Sequence, residues 1–373
     1  MNTNRLLNDG NRMDLSKRVV NLLEKDEEFL CKWLHKCQDE PWSLETSNGY
    51  VNLGTAESSL CHDILTAKIN EIDFFKLDPS MLRYFKFHGT QSCRESTSKF
   101  VEKYFKPSEK IDPENLIILA GSTAVFDLLA HIIADPGEYF MCATPYYSRI
   151  ADDVYERSLV RTIHVPLEVN EGINGELTAR MNVQWFEESY NESISQGKTI
   201  RAIVVVNPSN PLGIVHCKDD LLSIVEFAIR KNLYVIFDEV YALSIYRDGK
   251  DEFCSILSHL NSFPQQSNLI WLWGLSKDLC NAGFRFSVFY SKDQNILKMA
   301  KTLCFSGCVP PVIQHLTEKL LTDHEWLDNV YFPRNRGALR KNCEIVEEWL
   351  NKLKIPYCTP NSGMFVFVNF AEV

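Results

Sequence analysis

Five short apolar runs with little polar alternation, each ending in a polar turn, constrain this chain more than any other feature. They are Leu116-Ile-Ile-Leu119, Tyr139 to Ala143, Ile203-Val-Val-Val206, Leu233-Tyr-Val-Ile-Phe237 and the run from Trp271 to Gly274. A strand that is apolar at successive positions is buried on both faces, as in a parallel sheet covered by helices. Amphipathic helical patterns separate the runs from about Leu60 to Thr322, interrupted by a polar stretch from Asn170 to Thr199. The pattern predicts a three-layer α/β/α fold with a mainly parallel sheet and a second, smaller α+β domain. Helical periodicity returns from Glu325 to Leu353, through Trp326, Val330, Leu339, Cys343, Val346 and Leu350, before a final strand from Gly363 to Phe370. The expected division is 1–58 as an N-terminal segment of the small domain, 59–324 as the large domain and 325–373 as the rest of the small domain. A chain of 373 residues, 45% of them apolar, can bury such a core.

Open parallel sheets gather ligands at the carboxyl ends of their strands, so the residues standing there carry the chemistry. Lys277 follows the tryptophan-rich run, and Arg285 comes eight residues later. A desolvated lysine gives up its proton and can attack an aldehyde, while a guanidinium grips phosphate with two parallel bonds. Asp238 ends the Leu233 run, placed to pair with a buried cation such as a protonated ring nitrogen. In the proline-stiffened turn Asn207-Pro-Ser-Asn210-Pro-Leu-Gly213, the Asn210 amide can donate to a ring oxygen, and Tyr241 offers a second donor. Ser122 and Thr123, after Gly121, open a helix whose N-terminus favours phosphate; by themselves they equally make an ordinary helix cap. Tyr147, in Thr144-Pro-Tyr-Tyr147, can stack on a flat ring or serve the core.

Each strand end thus suits one part of pyridoxal phosphate, and the chain resembles a fold-type-I pyridoxal-phosphate enzyme of the class I/II aminotransferase superfamily. Within it, Asn52-Leu-Gly-Thr-Ala-Glu57-Ser-Ser-Leu-Cys, Tyr84-Phe-Lys-Phe87-His-Gly, Thr144-Pro-Tyr-Tyr, Asn207-Pro-Ser-Asn-Pro-Leu-Gly and Leu275-Ser-Lys-Asp resemble the 1-aminocyclopropane-1-carboxylate synthase branch, with its animal synthase-like members. The similarity runs from about Tyr50 to Phe370. It implies that Lys277 forms the internal aldimine and later moves the substrate's alpha proton, giving a quinonoid. It further implies that Asp238 keeps the pyridine nitrogen protonated, that Asn210 and Tyr241 hold the phenolic oxygen, and that Tyr147 stacks on the ring. Ser122, Thr123, Ser276 and Arg285 take the phosphate, and Ala56, Glu57 and Phe87 lie on the substrate side. Glu57 has a plainer reading too, as a first-turn carboxylate of a helix starting near Ser58. The implied function is an aminotransferase or synthase-like lyase of amino acid metabolism, homodimeric and cytoplasmic, with an amino acid as substrate. The rival is a chain that kept the fold as a cofactor-binding or interaction module.

Three departures from the resemblance bear on activity. Gly274 stands where relatives carry a phosphate-binding serine, and Phe87 where the synthases carry a tyrosine reaching the partner subunit's cofactor. Each change is expected to remove one charge-assisted hydrogen bond, about 1.5 to 3 kcal/mol, or one to two decades of affinity. Third, no arginine follows Arg340, so the arginine that clamps the substrate carboxylate in relatives has no candidate at its usual place, and a truncated or incomplete gene product is expected. Met364 to Phe370 would then lose its sheet neighbours and form an exposed apolar edge.

The net charge of -10 and pI near 5.5 speak against generic binding to nucleic acid or anionic membranes. Met1 to Asp14 is polar, so no signal peptide is expected, and no run approaches a membrane span. The twelve cysteines are scattered, as expected of reduced thiols. Cys31 with Cys37 and Cys304 with Cys308 lack the spacing of a metal site. Gly197-Lys198-Thr199 imitates a nucleotide-binding loop but precedes a strand, and no GxGxxG follows any strand.

Overall fold

The computed structural model describes residue 16 and residues 19–20, 29–71, 76–171 and 177–370. The stretch Met1 to Asp14 and the side chain of Cys31 lie outside the described residues. The chain divides into two compact units, Met1–Ala56 and Glu57–Val373. In the first, the helix Phe29–Asp39 brings Trp33 edge-on to Tyr50, and Pro41 bridges to Tyr50.

The second unit is built on a seven-stranded sheet. In chain order its strands are β1 (Leu116–Leu119), β2 (Tyr139–Thr144), β3 (Arg161–Pro166), β6 (Ile200–Val206), β7 (Tyr234–Asp238), β8 (Leu269–Gly274) and β9 (Ser287–Ser291). Between β3 and β6 lie β4 (Glu168–Glu171) and β5 (Leu177–Arg180), which belong to a second sheet. The spatial order is β1-β9-β8-β7-β6-β2-β3. β8, β7, β6, β2 and β3 are parallel, and only β9 runs against its neighbours β1 and β8. The expected mainly parallel sheet is therefore present.

Its apolar runs have a direct explanation. Ile203 and Val205 of β6, Val235 and Phe237 of β7, and Trp271 and Trp273 of β8 enter one core, with Phe100, Phe105, Ile224 and Phe227 from helices. Their neighbours Val204, Ile236, Ile270 and Leu272 enter the opposite core, with Val125, Leu129, Ile150 and Leu297. Both faces exclude water, so polar alternation has no place. Burying such side chains contributes about 1.5 to 3 kcal/mol each.

The polar stretch 170–199 is more structured than a break in the pattern suggests. Its first part completes the β4/β5 hairpin, and Val183–Ser195 is a helix capped by the Asn182 side chain. β5 pairs in parallel with β10 (Tyr357–Cys358), which pairs antiparallel with β11 (Phe367–Val368). This pairing corrects the expectation of a final strand without neighbours, while β11 does stand at the edge of its sheet. Met364 and Val366 also pack on Tyr246, Leu339 and Cys343, and Phe370, at 61% exposure, is the apolar residue left in water.

The helix Phe332–Leu353 buries Leu339, Cys343 and Leu350 of the predicted apolar stripe, whereas Val330 and Val346 are 43% and 40% exposed. Glu347 takes an inward position instead, neutralised by its ion pair with Arg247. Among the described residues no single helix is long and apolar enough to cross a membrane.

Candidate functional site

Because β1, β2, β6, β7 and β8 run the same way, their carboxyl ends share one rim. β9 runs in reverse, so its amino-terminal end meets that rim as well. The residues singled out in the sequence arrive there from chain segments far apart.

β7 ends in Asp238, which is buried and accepts a hydrogen bond from the Val240 amide at 3.3 Å. Burial pushes its carboxyl up to about 7; the Val240 bond and the positive charge of Lys277 oppose this, and the charge of Asp153 adds to it. β8 ends in Gly274, and Lys277 sits on the short helix Leu275–Asp278 that follows. Burial holds the Lys277 ammonium below the ordinary lysine range, with Glu57 and Asp238 pulling it back up and Arg285 pushing it down. A lysine so placed has a larger neutral fraction near pH 7, the form that attacks a carbonyl carbon.

The turn holding Lys277 is fixed by its neighbour. The buried carboxylate of Asp278 accepts from Ser244 Oγ at 2.6 Å, Trp273 Nε1 at 2.9 Å and the Leu243 amide at 3.0 Å. Glu239, next to Asp238, likewise accepts from Ser255 Oγ, Trp271 Nε1 and the Ile256 amide. These two acids are anchors of the rim that the sequence reading passed over. Their signal was local: an acid directly after each singled-out residue, in an otherwise apolar context.

Asn210, in the turn after β6, lies close enough to the hydroxyl of Tyr241 to act on its proton, and both residues are buried. Burial raises the Tyr241 phenol well above its usual range, the charges of Asp238 and Tyr147 add to this, and the Asn210 side chain opposes it. The two predicted donors are thus brought together. Tyr147 lies within electrostatic reach of Tyr241 and keeps 42% of its surface exposed.

The anion end is built from β1 and β9. Ser122 starts the helix Ser122–Ile133 after Gly121, whose φ of +94° suits glycine. Gly121 also leaves space that is in use: a Cβ there would lie 2.2 Å from Arg285 Nη2. The guanidinium donates to the carbonyl of Ala282 at 3.2 Å and to that of Ala120 at 3.4 Å, beside the helix N-terminus. Arg285 remains exposed and can turn its fork to an anion. Ser122 is half-buried, whereas Thr123 is exposed and near enough to Asp153 to favour its ionised form. Ser276, half-buried, precedes Lys277 on the same turn.

The substrate-side residues spread more widely. Glu57 opens the second unit, is exposed, and acts on Lys277 by its charge. The expected helix near Ser58 begins instead at His62, so Glu57 is no first-turn carboxylate. Phe87 packs edge-on against Phe305 at 4.5 Å between ring centres and against Phe85 at 5.4 Å. Ala56 is the last residue of the N-terminal unit.

Comparisons with known proteins bear on the family and the fold. The family model described as aminotransferase class I and II matches residues 48–373. A Homo sapiens protein named "Probable inactive 1-aminocyclopropane-1-carboxylate synthase-like protein 2" is 34% identical over 324 residues, covering 87% of this chain and 57% of that protein. The Mus musculus "1-aminocyclopropane-1-carboxylate synthase-like protein 1" is 33% identical over 335 residues, covering 90% of this chain and 66% of that protein. The chain therefore spans between about half and two thirds of the length of these relatives. The crystal structure of an archaeal alanine:glyoxylate aminotransferase superposes with a TM-score of 0.79 at 20% identity, over 96% of this chain and 85% of the other, so the two share a fold.

Proposed function

Because the chain belongs to the aminotransferase class I and II family, we propose that it holds pyridoxal phosphate at Lys277 and transforms an amino acid, by transamination or by synthase-like lyase chemistry. One observation carries this reading: Lys277, its ammonium destabilised by burial, lies in the field of the buried Asp238 carboxyl.

The residues present fit the cofactor. Gly121 offers a hydrogen where any side chain would collide with Arg285, which keeps the guanidinium beside the helix N-terminus. Arg285, Ser122 and the first amides of that helix form a donor set for a phosphate dianion. Asn210 and Tyr241 present a polar pair for a ring oxygen, and Tyr147 an aromatic face. When bound, the cofactor supplies an electron sink for a substrate carbanion.

The chain's own groups supply the rest. Asp238, as a carboxylate, holds a proton on a ring nitrogen. Neutral Lys277 accepts the substrate's alpha proton and returns it. Asp278 keeps the turn of Lys277 in place through its bonds to Ser244 and Leu243. A homodimer in the cytoplasm belongs to the same proposal.

A second reading, cofactor binding without efficient turnover, is favoured by Phe87, which has no hydroxyl to offer, and by the word "inactive" in the name of the human relative. The visible spectrum of the chain with pyridoxal phosphate, before and after borohydride and then with a panel of amino acids, separates the two. A borohydride-stable adduct on Lys277 whose spectrum responds to one amino acid supports the enzyme. An adduct indifferent to all of them supports the second reading, and no adduct overturns both.

A further inference from the structure

We propose that Ser287 is a positioning residue of the phosphate cradle, holding the hydroxyl of Ser122 toward a phosphate monoester from the space that a side chain on Gly274 would fill. The inference rests on the reading of the rim as a pyridoxal-phosphate site.

β8 and β9 are antiparallel, and Gly274 stands directly opposite Ser287. A Cβ at position 274 would lie 2.3 Å from Ser287 Oγ, 2.8 Å from the carbonyl oxygen of Phe286 and 3.1 Å from Ser287 Cβ. The backbone does not demand glycine there, since Gly274 is extended at φ -164° and ψ 166°. The space is what demands it, because the Ser287 hydroxyl and the Phe286 carbonyl already occupy it. A hydroxyl that fills this slot cannot come from β8 without a backbone shift. In this chain it comes from β9.

Ser287 Oγ lies 3.4 Å from Ser122 Oγ, where either atom can donate. Ser287 is 1% exposed and Ser122 is half-buried, so Ser287 stands behind Ser122 and reaches an anion through it. A hydroxyl carries one donor and two lone pairs. Once Ser122 gives its proton to an anionic oxygen, its own oxygen is left to accept from Ser287, and the two bonds reinforce each other. Gly274 therefore need not cost the site a hydroxyl, and the loss expected at that position is offset from the facing strand.

The test uses the full chain and two ligands, pyridoxal phosphate and pyridoxal, whose dissociation constants are measured by absorbance titration. Ser287→Ala is expected to weaken pyridoxal phosphate binding by about threefold to tenfold, the range of one neutral hydrogen bond, and to leave pyridoxal unchanged. Combined with Ser122→Ala, Ser287→Ala should lose no more affinity than Ser122→Ala loses alone. Ser287→Cys, close in size and a weak donor, should behave like Ser287→Ala and controls for a packing defect. Equal losses for both ligands, or additive losses with Ser122→Ala, would each overturn the role of Ser287. A wild-type chain that binds the two ligands equally would overturn the cradle itself, and the inference with it.

Discussion

Ser244 donates its hydroxyl to Asp278 at 2.6 Å, fastening the segment that follows Asp238 to the turn that holds Lys277. The acid and the lysine arrive on neighbouring parallel strands, and this bond fixes the two strand exits against each other. Asp278→Ala would leave three buried donors, on Leu243, Ser244 and Trp273, without their acceptor. Breaking such a buried network costs about 3 to 5 kcal/mol. A fall of that size in denaturant stability, with a weaker Lys277 adduct in whatever fraction folds, is the expected outcome. A variant as stable as the wild type would remove Asp278 from this role.

Lys277→Ala should abolish the borohydride-stable adduct with pyridoxal phosphate, because it removes the amine that burial beside Asp238 favours in its neutral form. Peptide mapping of the reduced protein locates the label. Label retained in the variant at wild-type yield would refute the assignment of Lys277.

Glu57→Gln should move the pH profile of adduct formation to lower pH. The Glu57 carboxylate raises the Lys277 pKa, and removing its charge lets burial and Arg285 depress it further. Rates of trapping across pH 6 to 9 measure the shift. A profile moving to higher pH would show that Glu57 does not act on Lys277 by charge.

Gly121→Ala should damage the anion end in two ways. It forces a side chain into a φ of +94° and drives a methyl group to within 2.2 Å of Arg285 Nη2. The expected cost is about 1 to 3 kcal/mol of stability, with weaker binding of pyridoxal phosphate than of pyridoxal relative to wild type. Thermal melts and the two titrations report these separately. Unchanged phosphate affinity would mean that Arg285 does not need its place beside Gly121.

Asp238 gives a pH dependence of definite sign. In the folded, cofactor-free chain its carboxyl titrates at about 7, whereas unfolded aspartate titrates at about 4. The folded state thus binds the proton more tightly, so the contribution of Asp238 to stability is full below about pH 4 and is lost as pH rises through about 7. Asp238→Asn does not titrate. The melting temperature of wild type minus that of Asp238→Asn should therefore fall from pH 4 to pH 7, and a difference that stays flat would contradict the burial of this acid.

What the sequence revealed and what it hid follow from the range of the interactions involved. Strands such as Leu116–Leu119 could be read because burial on both faces writes itself into consecutive residues. Lys277, Asp238, Asn210 and Arg285 could be read because a strand end is a local landmark. The hairpin of β4 and β5 could not, since its partner β10 lies far along the chain and the intervening polar residues carry no register. Ser287 was invisible for a related reason. Only the antiparallel alignment of β8 with β9 brings it opposite Gly274, and no spacing within either strand announces that pairing. The place of Glu57 depended on a helix start that propensity put near Ser58 and the fold put at His62.

The sheet order also sets how firmly each end of the site is held. β7 and β8 lie inside the sheet with a ladder on either side, whereas β1 has a single ladder, to β9, and on its outer side the Ile118 amide donates to the His88 carbonyl. Hydrogen exchange should therefore reach the amides of β1 at a lower opening free energy than those around Asp238. An anion clasped between Ser122 and Arg285 would close that seam, so loading the site would protect the margin of the sheet more than its centre.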